Sequence, residues 1–115
     1  MCTSSQAMSI FREVYSACDV LFDHRITDAY LYGSYARGDY HEDSDIDILL
    51  AVNLNSAELS KYRRKLASIT SDLSLEHDIT VSVTVKPAEQ FHQYINVLPY
   101  YTNVVREGIR YDNSR

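Results

Sequence analysis

The sequence predicts an α/β protein, in the broader sense of an α+β fold, with helices packed on one small mixed β-sheet. Apolar residues recur at steps of three and four in some segments, which indicates helices, and they alternate or run together in others, which indicates strands. The two kinds of segment follow one another along the chain. A chain of 115 residues is long enough for a single core, so one domain over residues 1–115 is predicted.

A first helix is predicted from about residue 5 to residue 23. Its apolar side chains form one stripe, made of Phe11, Val14, Tyr15, Cys18, Leu21 and Phe22. A short strand over residues 28–32 follows and leads directly into Gly33 and Ser34. Residues 35–38 are then predicted to form a short helical turn.

A second strand is predicted over residues 45–52. Residues two apart on a strand share a face, so Asp45 and Asp47 point one way and Ile46 and Ile48 the other. The unbroken apolar run over residues 48–52 predicts a central strand that is covered on both sides.

The rest of the chain predicts helices on either side of a third strand. Asn55 and Glu58 form a capping-box pattern that starts a helix with an apolar face reaching Leu73. Residues 78–85 alternate between polar and apolar side chains, as a half-buried strand does. Two helices are predicted next: one over about residues 87–96 with Pro87 in its first turn, and one from Pro99 to a C-cap at Gly108. Residues 109–111 are predicted as a short edge strand.

Composition and charge exclude some functions. The net charge of −5 argues against direct, nonspecific binding of nucleic acid, which requires a basic surface. No apolar run approaches the roughly 20 residues that cross a bilayer, and the N-terminus lacks the basic and apolar regions of a signal peptide. A cytoplasmic location without membrane contact is therefore predicted.

The segment from Gly33 to Asp47 predicts a site for phosphate and metal. Carboxylates two apart on a strand repel each other unless a cation lies between them, and Mg²⁺ prefers such hard oxygen ligands. A Gly-Ser turn after a strand offers backbone N–H groups and a hydroxyl to a phosphate. Together these features predict phosphoryl or nucleotidyl transfer, with metal joining Asp45 and Asp47 to a triphosphate.

The same segment carries a family resemblance. Gly33-Ser34, ten further residues and then Asp45-Ile46-Asp47 match the pattern G-S-x10-D-x-D. This pattern resembles the signature of the DNA polymerase β-like nucleotidyltransferase superfamily. The closing segment, residues 100–109, resembles the last helix of short bacterial MNT-type (minimal nucleotidyltransferase) proteins, with its Glu-Gly-Ile ending.

The resemblance implies roles for individual residues. Gly33 and Ser34 would bind the β- and γ-phosphates of ATP, and Asp45 and Asp47 would bind one or two Mg²⁺ ions. Arg37 would reach a phosphate or pair with a neighbouring acidic residue, Asp39 or Asp43. Ser44 would touch the nucleotide or cap the turn before the second strand.

The resemblance also implies a third carboxylate, on the strand beside Asp45 and Asp47. Asp78 is the candidate: as a third metal ligand and general base, it would have to lie in register with Asp47. If Thr80 or Ser82 lies there instead, the site has no third carboxylate and its activity is expected to be weak or absent.

Short MNT-type proteins are commonly paired with a HEPN-domain ribonuclease toxin. The resemblance therefore implies an antitoxin that transfers AMP from ATP to a tyrosine hydroxyl of such a partner (AMPylation). One alternative is a weakly active or inactive module that neutralises the partner by binding, and another is a nucleotidyltransferase for a small molecule. The sequence leaves the oligomeric state open, a homo-oligomer included.

Overall fold

A computed structural model describes residues 3–111 of the chain. Helices and strands alternate through this range, which confirms the predicted α/β class. In chain order the elements are α1 Ser4–Leu21, β1 Ile26–Tyr32, α2 Ser34–Arg37, β2 Ile46–Val52, α3 Ser56–Ser60, α4 Arg63–His77, β3 Val81–Pro87, α5 Ala88–Tyr94, α6 Pro99–Glu107 and β4 Ile109–Arg110.

The four strands form one mixed sheet in the order β3-β2-β1-β4. β1 is antiparallel to both β2 and β4, whereas β2 and β3 are parallel. β2 is central, and its side chains enter two apolar cores. Ile48 and Leu50 belong to the core that contains α1, while Leu49 and Ala51 pack with residues of α5 and α6. The prediction that this strand is covered on both sides is confirmed.

Helix α1 begins close to its predicted start because Thr3 caps it. The Thr3 hydroxyl accepts a hydrogen bond from the Gln6 N–H at 3.1 Å, and the Gln6 side-chain oxygen accepts one from the Thr3 N–H. The predicted apolar stripe faces the sheet. Of the predicted residues, Phe11, Val14, Cys18 and Phe22 are buried, and Ala7 and Ile10 of the same helix are buried with them.

The prediction of a single helix from Asn55 is wrong in one respect, because the chain forms two helices there. The capping box of Asn55 and Glu58 is present and starts α3. α3 ends at Ser60, and Tyr62 lies between the helices with φ −95° and ψ −2° before α4 begins. Tyr62 packs on Phe22, with ring centroids 5.1 Å apart, so the break turns an aromatic side chain towards the core.

Strand β3 starts later than predicted, at Val81 instead of residue 78. α4 continues to His77, and Asp78 is its C-cap in the left-handed conformation, with φ 51° and ψ 46°. The predicted alternation holds inside the strand, since Val81, Val83 and Val85 contact the α1 core. β3 extends through Pro87, so Pro87 ends the strand and the following helix covers only Ala88–Tyr94.

The C-terminal helix agrees with its predicted limits. Pro99 occupies the first turn of α6, and Gly108 is its C-cap. The Gly108 backbone is extended, with φ −78° and ψ 162°, so glycine is not needed there for a left-handed turn. Beyond β4, the Tyr111 N–H donates to the Ala29 carbonyl oxygen at 2.8 Å. Within residues 3–111, none of the helices has both the length and the apolar character to span a bilayer.

Candidate functional site

Gly33 lies at the junction of β1 and α2, in contact with Asp47. Its backbone has φ 80° and ψ −156°, a region open essentially to glycine alone. A Cβ atom built on Gly33 would lie 2.6 Å from Oδ2 of Asp47, closer than Cβ atoms approach other atoms in folded proteins. The local turn and the strand carboxylate therefore meet at a point where only a hydrogen atom fits.

Hydrogen bonds inside α2 fix the Gly33-Ser34 turn. The N–H groups of Ala36 and Arg37 both donate to the Gly33 carbonyl oxygen at 3.1 Å, and the Gly38 N–H donates to that of Ser34 at 2.9 Å. Gly38 closes the turn in the left-handed conformation. Ser34, half-buried, is thus held at the end of β1 next to Gly33.

Asp47 lies within β2, directly opposite Tyr32 of β1. It shares its face of the sheet with Leu49, which packs beneath α5 and α6. Asp45 comes just before the strand and is exposed. Burial raises the pKa of the Asp47 carboxyl, the negative charge of Asp45 raises it further, and Arg37 acts in the opposite direction. The two carboxylates are therefore close enough to repel each other, as a site for a divalent cation requires.

Arg37 already has partners next to the site. Its Nε lies 3.2 Å from Oδ2 of Asp39, and one of its terminal nitrogens lies 3.7 Å from Oε2 of Glu107. The predicted pairing with Asp39 is thus present, and the side chain is exposed. Exposed pairs of this kind are weak, about 0.2–1 kcal/mol, so they can be exchanged for a phosphate.

Ser44 caps the turn that leads to Asp45. Its hydroxyl accepts a hydrogen bond from the His41 N–H at 2.9 Å, and its own N–H donates to the His41 carbonyl oxygen at 3.0 Å. Of the two roles considered for Ser44, the structure contains the capping one.

The residue beside Asp47 on β3 is Ser82, not Asp78. The parallel register pairs Ile46 with Val81 and Asp47 with Ser82. Asp78 lies outside the strand because α4 ends there, and it lines a different cavity of about 380 Å³ together with Gln6, Ile10, Glu42, Asp43, His77 and Ile79. Asp78 therefore does not face Asp47. The alternative is observed, in which a neutral residue, Ser82, lies beside Asp47.

A second cavity, of about 250 Å³, opens beside Gly33. Its lining includes Tyr32 and Arg37 from the site, and Tyr100, Asn103 and Glu107 from α6. The hydroxyls of Tyr32 and Tyr100 lie 2.8 Å apart. Burial raises the pKa of the Tyr32 phenol, and its contact with Tyr100 adds to the shift. The sequence did not predict that Asn103 and Glu107 border the site, because only the packing of α6 on β1 brings them there.

A separate group of polar side chains joins α1 to α4. Glu13 Oε2 and His77 Nε2 are 2.5 Å apart although the residues are 64 positions apart in the chain. The ligand atoms of Glu13, Glu76 and His77 all lie within 4.8 Å of one another. None of these three residues belongs to β2 or to the Gly33 turn, and no sequence pattern predicts the contact.

Comparison with known proteins gives a consistent result. A family model described as "Nucleotidyltransferase domain" matches residues 13–111. Two similar proteins come from Methanocaldococcus jannaschii. The one named "Putative protein adenylyltransferase MJ0141" is 34% identical over 77 residues, which cover 67% of this chain and 76% of the relative. The one named "Putative protein adenylyltransferase MJ0604" is 32% identical over 97 residues, or 84% of this chain and 89% of the relative.

Proposed function

This chain belongs to the nucleotidyltransferase domain family and is a nucleotidyltransferase, and from that premise we propose that it transfers AMP from ATP to a hydroxyl group of a partner protein. The observation that carries the proposal is the contact between the Gly33 turn and Asp47, because it places the backbone of the Gly-Ser turn directly against one carboxylate of the aspartate pair. The names of both relatives, as protein adenylyltransferases, support AMP as the group and protein as the acceptor.

The proposal gives each residue of the site one role. Gly33 and Ser34 hold the terminal phosphates through the backbone of the turn and the Ser34 hydroxyl. Arg37 exchanges Asp39 and Glu107 for a phosphate oxygen. Ser44 acts indirectly, by fixing the turn from which Asp45 projects.

Asp45 and Asp47 fit a bound Mg²⁺ ion. They offer hard oxygen ligands, and Asp47 has its pKa raised by burial and by the charge of Asp45, a strain that a divalent cation relieves. When bound, Mg²⁺ supplies charge neutralisation between these carboxylates and the triphosphate.

The reaction is a displacement at the α-phosphorus. The oxygen of the acceptor hydroxyl forms a bond to phosphorus, the bond from phosphorus to the α,β-bridging oxygen breaks, and pyrophosphate leaves with that electron pair. The hydroxyl proton passes to water. The contribution of the chain is to hold ATP and acceptor in line, and such positioning is the main source of rate enhancement in this chemistry.

We propose a HEPN-domain protein as the acceptor and an antitoxin as the biological role. This part of the proposal depends on the resemblance of the chain to short MNT-type proteins. Its direct test is to mix the purified chain, ATP and Mg²⁺ with a HEPN protein encoded beside it, and to look for AMP on that protein by intact-mass spectrometry.

Four substitutions sharpen the test. Asp45→Asn and Asp47→Asn should each abolish transfer. Asp43→Asn is the matched control, because Asp43 is exposed in the loop before β2 and lines the cavity that contains Asp78. Asp78→Asn should retain transfer, since Ser82 is the neighbour of Asp47. Full transfer by the Asp45→Asn, Asp47→Asn double variant would overturn the proposal.

A binding module without catalysis is the second candidate, and the neutral Ser82 beside Asp47 favours it. In that case the chain neutralises its partner by contact alone. One variant distinguishes the two candidates. If Asp45→Asn leaves the complex intact on size-exclusion chromatography but no longer neutralises the partner, the chain acts as an enzyme. If neutralisation persists, binding is sufficient.

A further inference from the structure

We propose that Ser82 limits this chain to a single catalytic divalent cation, and that a carboxylate at position 82 would admit a second. The inference rests on the proposed function and makes it more specific, because it concerns the number of ions that the same site holds. It comes from the three residues that lie in a row across the sheet: Tyr32 on β1, Asp47 on β2 and Ser82 on β3.

On the side of Asp47 that faces β1, the strand row contains no carboxylate, and Glu107 of α6, which borders the cavity there, is paired with Arg37. Tyr32 lies directly opposite, and its hydroxyl is engaged with that of Tyr100 at 2.8 Å. A phenol in this setting stays neutral and is a poor ligand for Mg²⁺.

The side that faces β3 offers hydroxyl groups. Thr80, whose carbonyl oxygen accepts the Ile46 N–H at 2.9 Å, precedes the strand, and Ser82 and Thr84 continue the same face. Asp78, the nearest carboxylate upstream on this segment, is the cap of α4 and lines the cavity with Glu42 and Asp43. Next to Asp47, the row therefore brings Asp45 but no third carboxylate from the described strands. Asp28, which is on the same face of β1, pairs with Ala51 at the other end of the strand and bonds to His92.

Ligand number decides what such a face can hold. Mg²⁺ is commonly bound by one or two carboxylates together with substrate phosphates, so the aspartate pair is sufficient for one ion. Two-metal sites hold their ions about 3.5–4 Å apart and need carboxylates that reach both. A serine hydroxyl carries no charge to offset the repulsion of a second ion by the first.

The structure also has space for the missing carboxylate. Ser82 is exposed, although its strand neighbour Val81 is buried. A longer side chain at position 82 would extend along the surface beside Asp47 without entering either core. Ser82→Asp is therefore expected to fold, and Ser82→Glu provides a second variant with a longer reach.

The experiment counts Mn²⁺ ions, which replace Mg²⁺ and are visible by electron paramagnetic resonance. The protein is saturated with an ATP analogue that has a methylene bridge between the α- and β-phosphates, and bound Mn²⁺ is titrated. The wild type should bind one Mn²⁺ ion per chain–analogue complex, because the same ion contacts the aspartate pair and the triphosphate, and a protein-free titration corrects for Mn²⁺ held by unbound analogue. Ser82→Asp should bind one more, and its transfer rate should rise about tenfold or more.

Ser82→Asn is the matched control, because it has the size of aspartate without the charge, and it should keep the wild-type count. Thermal melting followed by circular dichroism verifies that each variant is folded. An equal count in wild type and both acidic variants, with the analogue bound, would overturn the inference while leaving the proposed function intact. Failure of the wild type to bind Mn²⁺ and the analogue at all would instead contradict the proposed function.

Discussion

Gly33 and Asp47 leave no space for a methyl group between them. A Cβ atom on Gly33 would lie 2.6 Å from Oδ2 of Asp47, and the Gly33 backbone has φ 80°. Gly33→Ala should therefore displace Asp47 and also strain the backbone, with a cost of about 1–3 kcal/mol in the free energy of unfolding. Chemical denaturation measures this cost, and binding of a fluorescent ATP analogue should be lost.

Gly38→Ala is the control for backbone strain alone. Gly38 has φ 88°, but nothing lies within 4 Å of a Cβ atom built on it. Its replacement should cost about 1–2 kcal/mol from the left-handed conformation and should leave ATP binding in place. Equal loss of nucleotide binding in both variants would show that the Gly33–Asp47 contact is not the cause.

Asp47→Asn should separate stability from function. Burial and the neighbouring charge of Asp45 make the Asp47 carboxylate unfavourable in the metal-free fold. A neutral amide of the same size removes this repulsion, so the free energy of unfolding at pH 7, measured with a chelator present, should stay equal or rise by up to about 1 kcal/mol. AMP transfer should nevertheless be lost. A large drop in stability would mean that Asp47 is chiefly a structural residue.

Asp28 should make the stability of the fold depend on acid pH. Burial acts to raise the pKa of its carboxyl, but hydrogen bonds with His92, Thr27 and Arg110 outweigh burial and lower it. A carboxyl whose pKa is lower in the folded state stabilises the protein above its unfolded pKa, about 3.9, and this stabilisation is lost as pH falls through the folded value.

Asp28→Asn provides the measurement for that residue. The side chain is only 13% exposed and connects β1 to α5 and β4 through His92 and Arg110. The variant should lose about 1–2 kcal/mol at pH 7 and show a smaller decline in stability below pH 4 than the wild type. Urea titrations at pH 7 and pH 3 measure the free energy of unfolding of both proteins. If it falls by the same amount in the variant and the wild type, Asp28 is not the source of the pH dependence.

Gly108→Ala should destabilise the protein even though the backbone angles at this position suit any residue. A Cβ atom there would lie 2.3 Å from the Val104 carbonyl oxygen and 3.0 Å from that of Leu31. An alanine at an ordinary extended position usually gains about 0.4–1 kcal/mol, but overlap with backbone should reverse the sign and cost about 1–3 kcal/mol. An unchanged or higher melting temperature would show that α6 and β4 can move apart.

Local patterns predicted the parts of the fold that depend on neighbouring residues. The alternation of β2 and β3, the Asn55 capping box and the first-turn position of Pro99 all follow from side chains within a few positions of each other, and all are confirmed. The Gly-Ser turn and the aspartate pair were likewise predictable as neighbours. They lie at the end of β1 and the start of β2, and these strands are consecutive and antiparallel.

The remaining differences between the predicted and the observed structure arise from contacts between distant residues or from positions without a clear sequence signal. No glycine or proline marks the break at Tyr62, so no local pattern predicts that two helices form there. Asp78 takes a left-handed cap that glycine usually fills, which concealed the end of α4 and shifted the start of β3. The pairing of Asp47 with Ser82 depends on where a long crossover returns to the sheet, and this is fixed by tertiary packing instead of local pattern.

The parallel pairing of β2 and β3 has a consequence for the order of folding. β1 and β2 pair across a short connection, whereas β3 reaches β2 only after α3 and α4. Contacts between residues close in sequence form faster, because less loop-closure entropy is lost before they form. The pairing that brings Gly33 to Asp47 is therefore expected in the folding transition state, with β3 and Ser82 docking afterwards.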